Sequence, residues 1–335
     1  MNIKYYFRVL GGASLKKLFS VVNRVHEKCG KNKVVIFFDI LLSIPVCKAG
    51  YYDSLIFGFY NMTFKQRKTF VTRMKNKKLI MLMNNQEHSH LFENKNEFDE
   101  LFRDFLHREF RDLAKIDYKD FCSFMSDKET IFAKPYSGES GKGIERLCKK
   151  DFPDLKAMFD YLKNGNFGVI EQQIIQHEAL AKIYPNAVNC YRIVTIVVDG
   201  VPHFVYATAK FGGGGKYVDN LENGGICCPI DPETETIAGC AHTSKLVNYD
   251  VHPDTGVTLM GYKLPYVKEA IDLCRKAALV VKDVRYVGWD VYIAPDGPGI
   301  IEGNDYPGYD FWQLPEHTPD KTGLWPFYQS LVKGL

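Results

Sequence analysis

The chain has 335 residues, 46% hydrophobic and 25% charged, a composition typical of a globular protein with a large core. Its 43 basic and 40 acidic residues nearly balance, so the overall charge gives no reason to expect a nucleic-acid partner. Nine cysteines without paired spacing predict reduced thiols and no disulfides. The first residues lack the continuous apolar segment of a secretory signal, so we expect a cytoplasmic location.

Residues 1–88 are rich in aromatic and basic residues, and their spacing predicts helices without a phosphate loop or a metal-ligand pattern. The most apolar run, residues 34–46, contains Asp39 and is shorter than the roughly 20 residues that a membrane-spanning helix needs. Buried core is the first interpretation of this run. Peripheral contact with a membrane surface is the alternative, because basic residues precede the run and aromatic residues lie nearby.

Further along the chain, apolar residues at helical spacing predict an amphipathic helix over residues 94–112. Shorter apolar periods then predict strands at residues 130–135 and 167–174. A hairpin with its turn at Asp199-Gly200 is predicted over residues 189–213. Helical spacing returns at residues 266–281, before two last strands around residues 285–293 and 299–305.

The last two strands carry the most informative pair of residues. Asp290 and Glu302 are equidistant from Asp296 in the turn sequence Pro-Asp-Gly, so an antiparallel hairpin centred there places them opposite each other. Like charges at such positions repel, and a divalent cation removes the repulsion. Asn304 lies on the same face as Glu302 by strand alternation, which predicts an oxygen site for Mg²⁺, with Mn²⁺ also suitable. The alternative is a solvated acidic face on an edge hairpin, although the apolar flanks favour a central one.

Two other segments have features of a nucleotide site. Lys134 ends a strand, and glycines that free the backbone to cover phosphates follow it, together with a lysine: Gly138, Gly141, Lys142 and Gly143. An ordinary surface turn is the alternative. The strand at residues 167–174 is followed by Glu178. In such an arrangement the backbone groups at the end of the strand can form hydrogen bonds with the edge of an adenine, and the carboxylate of Glu178 can accept hydrogen bonds from ribose hydroxyls.

Arg192 and Lys210 fall on successive strands of the predicted hairpin at residues 189–213. Buried cations need an anionic partner, which phosphate oxygens or ordinary salt bridges can supply.

Taken in chain order, these features resemble the ATP-grasp superfamily: Lys-Pro, a glycine-rich loop, a strand ending in Glu-Gln-Gln-Ile, Glu178, an arginine strand, a lysine strand, and a final Asp…Glu-x-Asn. Residues 92–110, with the motifs Asn-x-x-Arg-Ile, Val-Asp-Asn, Asn-Gly-Gly and Ile-Glu-Gly-Asn, are similar to the sugar-transfer-associated branch, which is found beside surface-polysaccharide genes. The resemblance covers residues from about 50 to 315.

The resemblance implies an α+β fold in which two lobes sandwich ATP, preceded by a short, mainly helical region. It implies domains at residues 1–88, 89–175 and 176–335. Many ATP-grasp ligases carry a separate substrate domain before the lobes, and the short helical segment here departs from that pattern.

The resemblance also implies roles for individual residues. The nucleotide-binding lysines correspond to Lys95 and Lys134, the phosphate loop to Gly138 to Gly143, and the adenine hinge to Glu171, Gln172 and Ile174. The ribose acceptor corresponds to Glu178, and the cations that stabilise the phosphoryl group correspond to Arg192 and Lys210. The magnesium ligands correspond to Asp290, Glu302 and Asn304.

The activity that the resemblance implies is an ATP-dependent carboxylate–amine ligase acting through an acylphosphate. Its substrates would be a small carboxylate and an amine or amino sugar. A sugar or polyol kinase with the same Mg-ATP site is a second interpretation, and a non-catalytic nucleotide-binding module of a polysaccharide assembly system is a third. A fourth treats all these residues as ordinary surface features. The sequence leaves the oligomeric state open.

Overall fold

The computed structural model describes residues 15–136 and 143–335. The chain divides into two compact units: residues up to Ile80 together with Gly308–Leu335, and Met81–Pro307. Sheet and helix both occur, and helices precede the first strand. The lobe boundary expected between residues 175 and 176 falls inside the second unit and stays a prediction.

Helices are short outside the N-terminal region, and strands dominate the second half of the chain. The helices are α1 (Leu15–Cys29), α2 (Lys33–Cys47), α3 (Asp53–Ile56), α4 (Phe64–Arg67), α5 (Arg73–Met83), α6 (His90–Glu93), α7 (Lys95–Leu101), α8 (Arg103–Leu106), α9 (Tyr118–Phe124), α10 (Leu155–Asn164), α11 (Glu178–Ile183), α12 (Val267–Ala277) and α13 (Trp325–Leu331).

The strands are β1 (Phe110–Asp112), β2 (Thr130–Lys134), β3 (Glu145–Cys148), β4 (Val169–Gln172), β5 (Cys190–Val198), β6 (Val201–Phe211), β7 (Ile226–Asp231), β8 (Thr236–Ile237), β9 (Ala241–His242), β10 (Asn248–Tyr249), β11 (Tyr286–Ala294) and β12 (Gly297–Asn304).

The first unit is helical, as the sequence predicted for the N-terminal region. α1 and α2 form a small core with Leu55, to which α1 contributes Leu18, Val21, Val22 and Val25, and α2 contributes Ile36 and Ile40. Asn32 caps α2, because its side chain accepts a hydrogen bond from the backbone N–H of Val34 at 2.8 Å. The apolar run at residues 34–46 is therefore core on one face only; the opposite face is exposed.

The two ends of the chain join within this unit through the buried amide of Gln313. Its side-chain oxygen accepts from the backbone N–H of Val71 at 2.9 Å and of Leu324 at 3.0 Å. Its nitrogen donates to the carbonyl oxygens of Val71 at 3.1 Å and Tyr309 at 2.6 Å. Both amide atoms are thus satisfied, as burial requires.

The second unit contains two antiparallel sheets. The smaller sheet has the order β1-β4-β2-β3, and α9 and α10 contribute Phe121, Met158 and Phe159 to its core. The larger sheet has the order β10-β9-β7-β6-β5-β11-β12, with β8 paired to β7. The β5–β6 hairpin turns at Asp199-Gly200, as predicted, and both residues have positive φ, 50° and 79°, which matches the twist of the strands.

The sequence predictions for two elements were wrong in part. The single helix expected over residues 94–112 is two helices, α7 and α8, and the second ends at Leu106, before His107 adopts a left-handed φ of 49°. Residues 110–112 form β1 instead, because they pair with β4 at the margin of the smaller sheet. The β11–β12 hairpin is not central either, since β12 is the last strand of its sheet and is covered by α6, α8 and α12.

All nine cysteines are free thiols, in agreement with the sequence prediction. Among the described residues, every helix is too short or too polar to cross a membrane.

Candidate functional site

The β11–β12 hairpin places Asp290 directly opposite Glu302, as the sequence predicted, but the cause is different. The turn is tight and pairs Ala294 with Gly297, so a regular ladder would place Ile301 opposite Asp290. A β-bulge next to Asp290 inserts one residue and moves Glu302 into that position.

The bulge also sets which way the strand faces. Ile300 pairs with Val291 and is fully buried, whereas Glu302, two residues later, is exposed. Residues two apart on a regular strand share a face. The extra residue therefore lets an apolar side chain enter the core while Glu302 and Asn304 emerge on the side of Asp290.

Asp290 is held by two cations from neighbouring strands. Arg192 on β5 lies opposite it and donates to both carboxylate oxygens, with Nη2 at 2.8 Å from Oδ2. Lys210 on β6 donates to Oδ2 at 3.1 Å. Arg192, Lys210 and Asp290 thus meet on one face of three adjacent strands.

The charges of these groups explain their protonation. Burial opposes ionisation of Asp290, but the positive charges of Arg192 and Lys210 outweigh it and hold the pKa of this carboxyl well below its usual range. In turn, the negative charges of Asp219 and Asp290 outweigh burial and raise the pKa of Lys210 well above its ordinary value. Asp290 is an anion and both cations are charged at neutral pH.

Glu302 differs from its partner. Among the described residues, none forms a hydrogen bond or ion pair with its carboxylate. The surrounding protein and then the charge of Asp290 raise the pKa of Glu302 above its usual value. Its side chain keeps an exposed surface, so this effect reflects crowding rather than complete burial. Asn304 is half-buried, and its side-chain oxygen accepts from the backbone N–H of Tyr306 at 3.3 Å.

These three residues fit a hard divalent cation. Asp290, Glu302 and Asn304 offer only oxygen ligands, and Glu302 has a carboxylate that the described residues leave without a partner. A carboxylate can accept about four hydrogen bonds or ligand contacts, so Asp290 keeps free lone pairs beside Arg192 and Lys210. The donor set suits Mg²⁺ or Mn²⁺ better than zinc.

A second charged cluster lies at the smaller sheet, centred on Glu171. Lys134 at the end of β2 donates to Oε2 of Glu171 at 2.6 Å, and Nε of Arg108 donates to the same oxygen at 3.0 Å. Burial raises the pKa of Glu171, but the charges of Arg108 and Lys134 outweigh burial and lower it to about 2. The carboxylate is therefore ionised, and it anchors Lys134.

Sequence reasoning missed Arg108 and Asp99. Arg108 is almost completely buried, and besides Glu171 it donates to the carbonyl oxygens of Ile300 and Ile301 beside the bulge. Asp99 lies 3.5 Å from its guanidinium, and burial followed by the charge of Glu171 raises the pKa of Asp99 to about 7. Only the spacing of charges in residues 99–108 indicated them, because the other groups that Arg108 contacts, Glu171, Ile300 and Ile301, lie far along the chain.

Lys95 lies at the first position of α7, where its backbone N–H donates to the carbonyl oxygen of Tyr136 at 3.0 Å. Burial lowers the pKa of Lys95, although the nearby charge of Glu302 opposes this effect. Because Lys134 and Glu171 also act on Lys95, the lysine lies within electrostatic reach of both clusters.

The predicted hinge is divided between a strand and a loop. Glu171 and Gln172 belong to β4, and Gln172 pairs its backbone N–H with the carbonyl oxygen of Glu109 at 2.9 Å. Ile174 lies beyond the strand, and its backbone N–H and C=O, like those of Gln173, form no backbone hydrogen bonds among residues 15–136 and 143–335. Glu178 is exposed at the first position of α11.

The glycine-rich loop is described only at its end. Gly138, Gly141 and Lys142 lie outside the described residues, so their predicted roles stay predictions. Gly143 has a φ of +76°, which favours glycine, and an added Cβ would lie 3.3 Å from Cγ of Pro135.

Asp219 is a third acidic residue beside Lys210. One of its oxygens lies 3.6 Å from Nζ of Lys210, and the other accepts from the thiol of Cys190 at 2.6 Å. Burial raises the pKa of Asp219, although Lys210 opposes this effect. The sequence pattern Val-Asp-Asn between two glycine groups was its only signal.

The chain that carries the β11–β12 hairpin and the two antiparallel sheets is an ATP-grasp protein. The family model described as sugar-transfer associated ATP-grasp matches residues 74–324. That match covers well over half of the chain, and the protein belongs to this family.

Solved ATP-grasp structures are similar at low identity. D-alanyl-alanine synthetase A from Vibrio cholerae O1 biovar eltor is 13% identical with a TM-score of 0.41, covering 70% of this chain and 62% of that one. The ATP-grasp ligase PsnB, complexed with a phosphomimetic variant of its minimal precursor, Mg and ADP, is 15% identical with a TM-score of 0.40, covering 75% and 64%.

N5-carboxyaminoimidazole synthase from Aspergillus clavatus, in complex with ADP and 5-aminoimidazole ribonucleotide, is 12% identical with a TM-score of 0.39, covering 67% of this chain and 47% of that one. The chain thus spans less than two thirds of each of these three solved chains, and similarities of this size assign no activity. No curated protein matches the chain.

Proposed function

We propose that this protein is an ATP-dependent carboxylate–amine ligase that acts through an acylphosphate. The observation that carries the proposal is the arrangement of Asp290 and Glu302 on the β11–β12 hairpin, with Arg192 and Lys210 beside them on β5 and β6. This group offers anionic ligands for a metal and cations for phosphoryl oxygens within one face of a sheet, which is what phosphoryl transfer from ATP requires.

ATP is the proposed cosubstrate. Lys95 and Lys134 are the cations for its phosphates, Gln172 and Ile174 provide the adenine hinge, and the ribose faces Glu178. Loop residues Gly138, Gly141, Lys142 and Gly143 cover the phosphates in this proposal. The unused backbone groups of Ile174 support the hinge assignment, because an adenine edge needs such partners. Anchoring of Lys134 by Glu171 supports the phosphate assignment, because a fixed cation loses less entropy on binding.

Asp290, Glu302 and Asn304 would hold Mg²⁺ or Mn²⁺, which supplies neutralisation of phosphate charge when bound. In the reaction, a substrate carboxylate oxygen forms a bond to the γ-phosphorus while the bond to the bridging oxygen of ADP breaks. Arg192 and Lys210 stabilise the charge on the equatorial oxygens. An amine then attacks the acyl carbon, inorganic phosphate leaves with its bonding electrons, and the proton of the amine passes to solvent.

The amine is proposed to belong to a sugar or amino-sugar precursor, because the family is described as associated with sugar transfer. The proposed setting is surface-polysaccharide synthesis. A cytoplasmic location is proposed from the nine free thiols, which a reducing compartment preserves.

A hydroxylamine trap tests the proposal. The purified chain is incubated with Mg-ATP, hydroxylamine and pooled acids, amino acids and sugars, and ADP and hydroxamates are measured by mass spectrometry. Hydroxylamine intercepts acylphosphates, so a hydroxamate that forms together with ADP identifies the acid. Glu302→Ala and Arg192→Ala should each abolish the signal, whereas Glu269→Ala on the exposed side of α12 should retain it.

ADP with a phosphorylated sugar and no hydroxamate would overturn the ligase in favour of a kinase. Near-normal hydroxamate formation by Glu302→Ala or Arg192→Ala would overturn the site. ATP binding without formation of ADP, hydroxamate or a phosphorylated sugar would favour the non-catalytic nucleotide-binding module.

A further inference from the structure

The outer face of α2 is apolar along its whole length. Val34, Val35, Phe38, Leu42 and Val46 are exposed by 62%, 59%, 57%, 55% and 42%, respectively. Four of them recur every fourth residue, so they form a stripe of about 18 Å along one side of the helix. The charged residues of α2 are Lys33 at its first position and Asp39, which is paired with Arg67 at 2.8 Å.

α1 extends this surface. Leu15 and Phe19 are exposed by 62% and 54%. The ring of Phe19 stacks on Phe37 with centroids 5.8 Å apart, and Phe37 meets Phe38 edge-on at 5.5 Å. The two helices therefore share one continuous surface, which we call the apolar face: Leu15, Phe19, Val34, Val35, Phe38, Leu42 and Val46. A patch of this kind usually marks an interaction site.

The segment that carries the apolar face is strongly basic. Residues 15–52 contain seven Lys and Arg residues but only two acidic ones, Glu27 and Asp39. Six lysines of this segment are exposed, and the five on α1, on the loop after it and at the start of α2 are what we call the basic rim: Lys16, Lys17, Lys28, Lys31 and Lys33. This balance differs from that of the whole chain, whose charges nearly cancel.

We propose that the apolar face binds the surface of a membrane that contains anionic lipids. Aromatic and aliphatic side chains enter the boundary between headgroups and acyl chains, while neighbouring lysines contact anionic headgroups. α2 has 15 residues, so it lies on the surface and does not cross it. A second copy of the chain is a poorer occupant, because a symmetric interface brings the same basic rim from both sides into contact.

Vesicle sedimentation with the full chain tests the proposal. One set of vesicles contains phosphatidylcholine with about 30 mol% phosphatidylglycerol, and the other contains phosphatidylcholine alone. The chain should sediment with the anionic vesicles and bind the neutral ones at least about tenfold more weakly. The double variant Phe38→Glu/Leu42→Glu should lose at least about tenfold in binding, because two charges would have to enter the apolar boundary.

Matched variants separate membrane binding from general surface effects. Val201→Glu/Met260→Glu changes two equally exposed apolar residues of the other compact unit, 53% and 61%, and should bind as the wild type does. Lys16→Gln/Lys28→Gln/Lys33→Gln should weaken binding to anionic vesicles by on the order of 100-fold. The control for this lysine variant is Lys268→Gln/Lys276→Gln, which changes two exposed lysines of α12 and should bind as the wild type does.

Thermal unfolding verifies that each variant is folded, and the milder Leu42→Ser should show a partial loss. Equal binding to both kinds of vesicle, or unchanged binding of Phe38→Glu/Leu42→Glu, would overturn the proposal. A second result would also overturn it: the wild type does not bind vesicles and is a dimer by analytical ultracentrifugation, whereas Phe38→Glu/Leu42→Glu is a monomer. The test does not depend on the proposed enzymatic activity.

Discussion

Asp290 and Glu302 lie opposite each other, yet their surroundings give them different tasks. Asp290 is neutralised by Arg192 and Lys210, so it orients both cations as well as offering ligand atoms. Glu302 has a raised pKa and no hydrogen-bond partner among the described residues, so its charge is the one that a cation would relieve. The pair therefore combines a fixed anion with an available one.

We expect Glu302→Gln to weaken Mg-dependent ATP binding at least about tenfold and to lower turnover on the order of 100-fold. The change removes a charge and keeps the shape of the side chain. Isothermal titration of ATP at several Mg²⁺ concentrations measures the first effect, and ADP release measures the second. Glu269→Gln is the control, and a wild-type Mg²⁺ requirement in Glu302→Gln would refute the metal assignment.

Asp99 gives a prediction for stability against pH. Its pKa is about 7 in the folded chain and about 4 when unfolded, so between these values the folded state binds the extra proton. The wild type therefore loses free energy of unfolding as the pH rises through this window. Asp99→Asn lacks this loss, and its stability relative to the wild type should rise by on the order of 1–3 kcal/mol between pH 5 and pH 8.

Urea unfolding at the two pH values measures that difference. Asp104→Asn, at an exposed position of α8, should follow the wild type at both. A constant difference between Asp99→Asn and the wild type would show that Asp99 does not take up this proton on folding.

β12 places Glu302 opposite Asp290 through an irregularity that Arg108 contacts. The carbonyl oxygens of Ile300 and Ile301 lie at the bulge, and Arg108 donates to both while it pairs with Glu171 on β4. One buried side chain thus connects the strand that carries Glu302 to the strand that leads into the proposed hinge. The position of Glu302 depends on a residue that contacts neither the proposed metal nor the proposed nucleotide.

We expect Arg108→Met to lower the free energy of unfolding by about 3–5 kcal/mol, because it leaves buried Glu171 and Asp99 without their shared cation. Arg108→Lys should recover part of this loss. Arg111→Met, whose side chain is 36% exposed in a surface ion pair, should cost at most about 1 kcal/mol. Urea unfolding compares the three variants, and equal losses for Arg108→Met and Arg111→Met would contradict the assigned role.

Local patterns predicted the hairpins, the pairing of Asp290 with Glu302, and the positions of Arg192 and Lys210 on successive strands. They failed where distant segments decide the structure. The three residues of β1 continue the helical pattern of the preceding segment, so the sequence predicted a helix there. They form a strand because they pair with β4. Arg108, Asp99 and Asp219 were not assigned from sequence, because their contacts depend on the fold, as in the pairing of Arg108 with Glu171.

The division into two compact units predicts where nucleotide binding alters the molecule. Lys134, Glu171, Asp290 and Glu302 all belong to Met81–Pro307, whereas the apolar face belongs to the other unit. Binding at 100 times the dissociation constant stabilises a protein by about 2.7 kcal/mol. Mg-ATP should therefore slow hydrogen exchange in β2, β4, β11 and β12.

Exchange in α1 and α2 should stay unchanged, and mass spectrometry of peptic fragments distinguishes these regions. Glu302→Gln should show less protection at the same nucleotide concentration. Protection of α1 and α2 equal to that of β11 would contradict the assignment of the nucleotide to the second unit.

Gln313 closes a unit whose two segments are separated in the chain by the whole of the second unit. Until residues 308–335 have been synthesised, the backbone groups of Val71 lack their hydrogen-bond partner, Gln313, and the first unit is incomplete. More than 220 residues separate the two segments of this unit. The second unit, by contrast, is one uninterrupted segment and can fold during translation. In a growing chain the second unit can therefore be completed before the first, although one segment of the first unit precedes it, and α1 and α2 wait for their partner segment during that interval.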